Sequence, residues 1–181
     1  VLGAAVFVCG LWLIQRYLGL LEYDRQQILT GQLWRIWSGH FVHTNSAHFA
    51  LNIVAALIIY FGFLTRIKLR DLLLSVFVFA ALISLTLLCV YPSLDWYNGL
   101  SGLLHALVAY FAVRMARTED KIFWAALVVI WVKVIVETVR VHLGYESTVG
   151  EMAIITEAHL IGTFFGTVAG FALRKSRSLT P

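Results

Sequence analysis

Charge is what this chain has least of. Only 13% of its 181 residues are Asp, Glu, Lys or Arg, while 60% are hydrophobic. A water-soluble domain carries about a quarter charged residues. So few charges cannot cover a surface that faces water. That excludes an ordinary soluble domain and points to an integral membrane protein, with the bilayer as its solvent. Cysteine is scarcer still. The two present, Cys9 and Cys89, lie in apolar runs, and no disulfide framework is expected. The net charge is +4, but it reflects basic loops, and no basic stripe points to nucleic acid. No internal repeat, low-complexity segment or linker divides the chain. Residues 1–181 read as a single domain.

What is abundant is the long apolar run. A helical span needs roughly 20 apolar residues. Six candidates are legible, at about 1–21, 47–64, 72–91, 99–113, 122–139 and 152–173. The predicted fold class is therefore an all-α polytopic membrane protein, a bundle of six transmembrane helices. The chain opens inside an apolar run. Val1–Leu21 is read as a span rather than a cleaved leader, with natural sequence expected upstream and Arg16 near its end. Arg66, Lys68 and Arg70 follow span two. Arg114, Arg117 and Lys121 follow span four, and Arg174, Lys175 and Arg177 form the tail. The opposite loops hold only Arg25, Arg35 and Arg140. The positive-inside rule places both termini in the cytoplasm. The loops at 22–46, 92–98 and 140–151 then face outside, with Trp34, Trp37, Trp96 and Tyr97 at the outer interface. The first of these loops is too long for a plain connector, and such loops tend to be functional.

Depth brings separate spans together. Ser101 stands 13 residues before Arg114, roughly 20 Å above the cytoplasmic end at helical rise. His159 stands 15 residues before Arg174, roughly 22 Å up. Asn52 stands 14 residues before Arg66, roughly 21 Å up. Three polar residues from three spans share one level, below the outer surface of a hydrocarbon core about 30 Å thick. Span four is short, so the loop before it must dip into the membrane, as backbone does only where it lines a cavity or is buried.

Each of these residues has a plain reading and a chemical one. Ser101 lies between Gly99 and Gly102 near a helix start. It can cap a helix, or it can act as a nucleophile beside free N–H groups that suit a developing oxyanion. Serine needs a base, and an intramembrane histidine is by default a functional hypothesis. His159 heads a stripe of Gly162, Gly166 and Gly170 at four-residue steps. It shares a face with Gly162, so it points at whichever helix the stripe touches. If that is span four, Ser101 and His159 meet. Otherwise the histidine is a structural interhelical bond. His48 and Asn52, four residues apart, can glue helices or donate to an oxyanion. Lys133 and Glu137 in span five form either a structural ion pair or a substrate-selecting one. Glu157, two residues before His159, faces elsewhere and offers no third member. His40, His43 and His48 lack a carboxylate or thiolate companion, so no metal is expected, nor any cofactor. His40 and His43 are expected to bond their own loop's backbone.

Together these residues resemble the rhomboid family of intramembrane serine proteases. Trp34-Arg35, His48-x-x-x-Asn52, Gly99-x-Ser101-Gly102 and Ala158-His159-x-x-Gly162-x-x-x-Gly166 match its motifs in order over most of the chain. The resemblance implies a six-helix rhomboid-like bundle and a Ser–His dyad without an acidic third member. It also implies an acyl-enzyme, a water-filled cavity open to the outside, and membrane-anchored substrates. Finer details look most like the rhombosortase subgroup: Tyr23-Asp24-Arg25, Gly31-Gln32-Leu33-Trp34-Arg35, His105, the Lys133/Glu137 pair and Glu157-Ala158-His159. Ordinary bacterial rhomboids often carry tyrosine at the place of His105, packed on the catalytic histidine. The subgroup implies removal of C-terminal sorting tails made of a Gly-Gly motif, a transmembrane helix and a basic end. It implies a bacterial inner membrane, a site opening to the periplasm, and transfer of the new terminus to a lipid-derived amine or to water. The alternatives are a general rhomboid protease, a membrane transporter, and a non-catalytic rhomboid-like binding protein.

Overall fold

A computed structural model describes residues 2–62, 67–118, 120–145, 148–149 and 152–172. The apolar runs fold as helices. α1 (Leu2–Ile14) and α2 (Leu18–Leu21) share the first run, parted by a 3-10 turn at Gln15–Tyr17. α3 (Arg25–Leu29) and α4 (Arg35–Ser38) are short helices in the first loop. α5 (Ser46–Gly62), α6 (Leu69–Val90), α7 (Ser101–Thr118), α8 (Phe123–His142) and α9 (Thr156–Ala172) each overlap one of the remaining runs.

Among the described residues, α6 alone is long and apolar enough to cross a membrane by itself. Arg35–Phe41 and Ser46–Gly62 qualify only together, across a 90° bend. Length and hydropathy thus support fewer spans than the six expected. The reason is physical. α5 and α9 have 17 residues each, and α8 carries Lys133, Glu137 and Arg140 on one helix. The outward faces are nonetheless apolar at helical spacing: Leu51, Val54 and Ile58 on α5, and Val128, Val132 and Ile135 on α8, are exposed. In water such faces invite aggregation. In hydrocarbon they are solvated.

α7 is the axis of the molecule. Every residue from Gly102 to Ala116 is buried, which a helix achieves only when neighbours surround it. α9 lies closest. A Cβ at Gly162 would run into the Gly102 carbonyl oxygen, and one at Gly166 into that of Ala106. The small-residue stripe therefore faces α7, and backbone meets backbone. Arg117 Nη1 donates to the carbonyls of Gly170 and Phe171, each at 3.0 Å, satisfying acceptors that the end of α9 leaves open. Arg114, read from sequence as a loop cation, is buried inside α7, with its guanidinium 5.9 Å from the Tyr110 ring. The helix runs one turn longer than its apolar run. Arg66, Arg174, Lys175 and Arg177, on which the topology reading also leans, lie outside the described residues.

Two short ladders qualify the all-α reading. β1 (Tyr23–Asp24) pairs antiparallel with β2 (Trp96–Tyr97), and β3 (Thr148–Val149) with β4 (Met152–Ala153). Two-residue strands are too short for alternation to betray them. β1–β2 stitches the first loop to the segment that leads into α7. Gly99 N–H adds a bond to the Gly39 carbonyl at 3.1 Å. Of the four aromatics expected at the interface, Trp34 and Trp96 are exposed and Trp37 is half-buried, but Tyr97 is buried. Its hydroxyl donates to the Gly99 carbonyl at 2.9 Å, so it belongs to the core rather than the interface.

Arg35 holds the first loop in shape. It is buried and donates to Gln32 Oε1 at 2.8 Å, the Glu22 carbonyl at 2.7 Å and the Gly19 carbonyl at 2.9 Å. Arg35→Ala is expected to cost about 3 kcal/mol, because charged hydrogen bonds are lost and buried carbonyls are left bare. Arg35→Lys should not rescue it, since one ammonium cannot match a planar fork. Thermal unfolding in detergent micelles checks both.

Candidate active site

The serine sits where loop turns into helix. Gly99 has φ +113°, a left-handed conformation that side chains resist. A Cβ there would also strike the His48 ring. Ser101 then opens α7, and the N–H groups of that first turn have no intrahelical acceptor. Leu100 N–H donates to His43 Nε2 at 3.3 Å, which fixes the segment just before the serine. This bond requires a bare Nε2, so His43 carries its proton on Nδ1. His40 Nε2 lies 3.1 Å from the Ala80 carbonyl and 3.0 Å from Ser84 Oγ, both on α6. Neither histidine bonds its own loop, contrary to expectation. Each ties that loop to another segment. Tyr97 lies outside the expected spans, and burial pushes its phenol above the ordinary range. It stays a donor to Gly99.

Across the α7–α9 seam, His159 Nε2 lies 2.8 Å from Ser101 Oγ. His159 is buried and Ser101 is half-buried. The meeting depends on Gly162, where a side chain would run into the α7 backbone, and is helped by Gly102, where a Cβ would lie only 3.0 Å from the Ala158 carbonyl oxygen. His105, one turn below the serine, stacks on His159 with centroids 4.2 Å apart and planes 10° from parallel. Its Nδ1 donates to the Ser101 carbonyl at 2.7 Å. His48 packs on Gly99, and Asn52 is buried beneath it with its amide donating to the His48 carbonyl at 2.9 Å. One Asn52 amide hydrogen is left for another acceptor.

Lys133 and Glu137 do pair, Nζ to Oε1 at 2.7 Å. The other carboxylate oxygen reaches further. Glu137 Oε2 lies 2.9 Å from His159 Nδ1. The resemblance implies no carboxylate at this place, and the sequence, which sets Glu157 on another face, does not mark Glu137 as the partner of His159. Both nitrogens of the His159 ring therefore have partners, Ser101 on one side and Glu137 on the other. His105, Glu137 and His159 also bring three metal-ligand atoms within 4.8 Å of one another. The rings stack face to face rather than converging on a point, so the set suits an imidazole held by stacking and one hydrogen bond better than a coordinated ion. An open cleft of about 750 Å³ lies beside the segment leading into α7, lined by Glu22, Asp24, Thr44, Asp95 and Asn98 among others.

No curated protein matches the chain significantly. The Rhomboid domain family matches residues 30–176, a range that takes in Arg35, the α7–α9 seam and every residue described above from His40 to His159. The chain belongs to the rhomboid family, a family of membrane proteins that are in general intramembrane serine proteases acting on membrane-protein substrates.

Proposed function

We propose that this chain is a single-domain, six-span intramembrane serine protease of the bacterial inner membrane, with both termini cytoplasmic, that removes C-terminal transmembrane sorting tails. The observation that carries the catalytic part is the 2.8 Å approach of His159 Nε2 to Ser101 Oγ. Ser101 Oγ attacks the scissile carbonyl while His159 Nε2 takes its proton. His48, Asn52 and the Ser101 backbone N–H stabilise the tetrahedral oxyanion. His159 then protonates the leaving amine, the amide C–N bond breaks, and the acyl chain stays on Ser101 as an ester. Water or a lipid-derived amine resolves that ester.

Sorting-tail specificity is supported by the features shared with rhombosortases, chiefly His105 stacked on His159 and the Lys133/Glu137 pair beside it. A Gly-Gly motif suits a serine set in a seam too narrow for side chains, and lets a substrate helix unwind locally. The test is mass spectrometry of a Gly-Gly–helix–basic substrate expressed with and without the protein. A new C-terminus at the Gly-Gly motif, formed only with active protein, is expected. Its mass distinguishes a free acid from an amine adduct. A cut elsewhere in the transmembrane segment returns the protein to general rhomboid proteolysis, and an intact tail overturns the sorting reading.

A further inference from the structure

We propose that Glu137 is a positioning residue of this site: it holds the proton of His159 on Nδ1, while Lys133 fixes which way its carboxylate turns. The proposal rests on the reading of Ser101 and His159 as nucleophile and base. A carboxylate only accepts hydrogen bonds. At 2.9 Å from Glu137 Oε2, Nδ1 must therefore carry a proton, which leaves Nε2 bare on the side of Ser101 Oγ. That is the one neutral tautomer able to take the serine's proton. The alternative partner for Nδ1 is Lys133 Nζ, at 3.4 Å. An ammonium has no lone pair, so it cannot accept from Nδ1–H, and its short bond goes to Glu137 Oε1 instead.

The arrangement constrains the ring within its plane and on one face. Ser101 and Glu137 hold it within its plane, and the stacked His105 ring blocks tilting. Were Lys133 and Glu137 only a structural pair on α8, the second carboxylate oxygen would have no need to reach α9. During attack the proton moves from Ser101 Oγ to His159 Nε2, and the imidazolium then has two N–H groups. Glu137 stays ionised, takes no proton, and stabilises that cation until Nε2 passes the proton to the leaving amine.

Glu137→Gln tests this with the shape preserved. Lys133 can only donate, so it should claim the amide oxygen and leave the NH₂ group facing Nδ1. That forces the proton of His159 onto Nε2, the wrong tautomer. In proteoliposomes kcat is expected to fall about 10⁴-fold, as in a carboxylate-to-amide change at a triad, with KM nearly unchanged. Adding Lys133→Met frees the amide to turn its oxygen to Nδ1–H, and should recover roughly tenfold or more of that loss. Nitrogen-15 NMR of histidine-labelled wild-type protein in detergent should show His159 protonated at Nδ1. An Nε2–H tautomer in the wild type overturns the proposal whether or not any variant folds. So does a Glu137→Gln enzyme at wild-type kcat, or a double variant no faster than the single one. Ser101→Ala and His159→Ala run alongside: if they stay active, the nucleophile and base reading fails instead.

Discussion

Ser101→Ala is expected to abolish substrate cleavage, lowering turnover by about 10⁶-fold, the scale seen when a serine nucleophile that works as a unit with its base is removed. The fold should survive. Ser101 is half-buried, and the bond of its side chain is to His159 Nε2. Losing one oxygen there removes no packing from the α7–α9 seam. The thermal midpoint should therefore stay within a few degrees of wild type while activity disappears. His159→Ala should cost about as much activity, because the two act as one unit. A fluorophosphonate, which reacts with an activated serine, should label the wild type and neither variant. A transporter would show no labelling at all and would move solute or charge in proteoliposomes. Turnover within tenfold of wild type in either variant would sink the assignment.

Part of this site is legible in the sequence because position along a helix is a one-dimensional coordinate. Counting back from basic residues sets Ser101, His159 and Asn52 at similar expected depths, although Arg114 proves buried in α7 and Arg66 and Arg174 lie outside the described residues; the glycine stripe after His159 names the face it must present. The structure sets that stripe against α7, with Gly162 at the Gly102 carbonyl. The same arithmetic applies to Glu137 on α8. It stands 16 residues past Lys121, about 24 Å up by helical rise. The sequence does not single it out, because Lys133 four residues earlier already accounts for its charge and nothing local says that α8 packs its face against His159. A second physical clue was also present. A histidine acting as base through one nitrogen needs an acceptor for the other, and Glu137 is a carboxylate within an expected span other than the histidine's own.

Other features were out of reach for different reasons. Tyr97 reads as an interfacial aromatic, since nothing local reveals that Tyr23 will pair beside it and bury it. Arg114 reads as a loop cation because hydropathy ends a span where charge begins. In α7 the helix continues, and the guanidinium is buried above Tyr110. His40 and His43 bind segments 40 and 57 residues away in sequence, contacts that no local pattern encodes.

The seam itself supplies the second large effect. Gly162→Ala adds one methyl group to α9. The methyl would meet the Gly102 carbonyl oxygen and lie 3.4 Å from the Ala106 nitrogen. These are backbone atoms of a helix buried from Gly102 to Ala116, so no flexible side chain can swing aside. The helices must part. Overpacking of this kind costs about 1–3 kcal/mol. The larger consequence is catalytic. His159, three residues earlier, shares the face of Gly162 and rides with it away from Ser101. A displacement near 1 Å at reacting atoms costs about 10²-fold in rate, so kcat should drop by that factor even in the fraction that stays folded. Gly10→Ala is the control: it also adds a methyl to a helix, but with nothing within 4 Å, and should leave the rate unchanged and the midpoint equal or slightly raised, as Ala favours helix over Gly. If Gly162→Ala matched the control on both measures, close backbone approach would not be what brings Ser101 and His159 together. The 2.8 Å contact would then have to be held from elsewhere, through Glu137 and the stacked His105 on the far side of the ring.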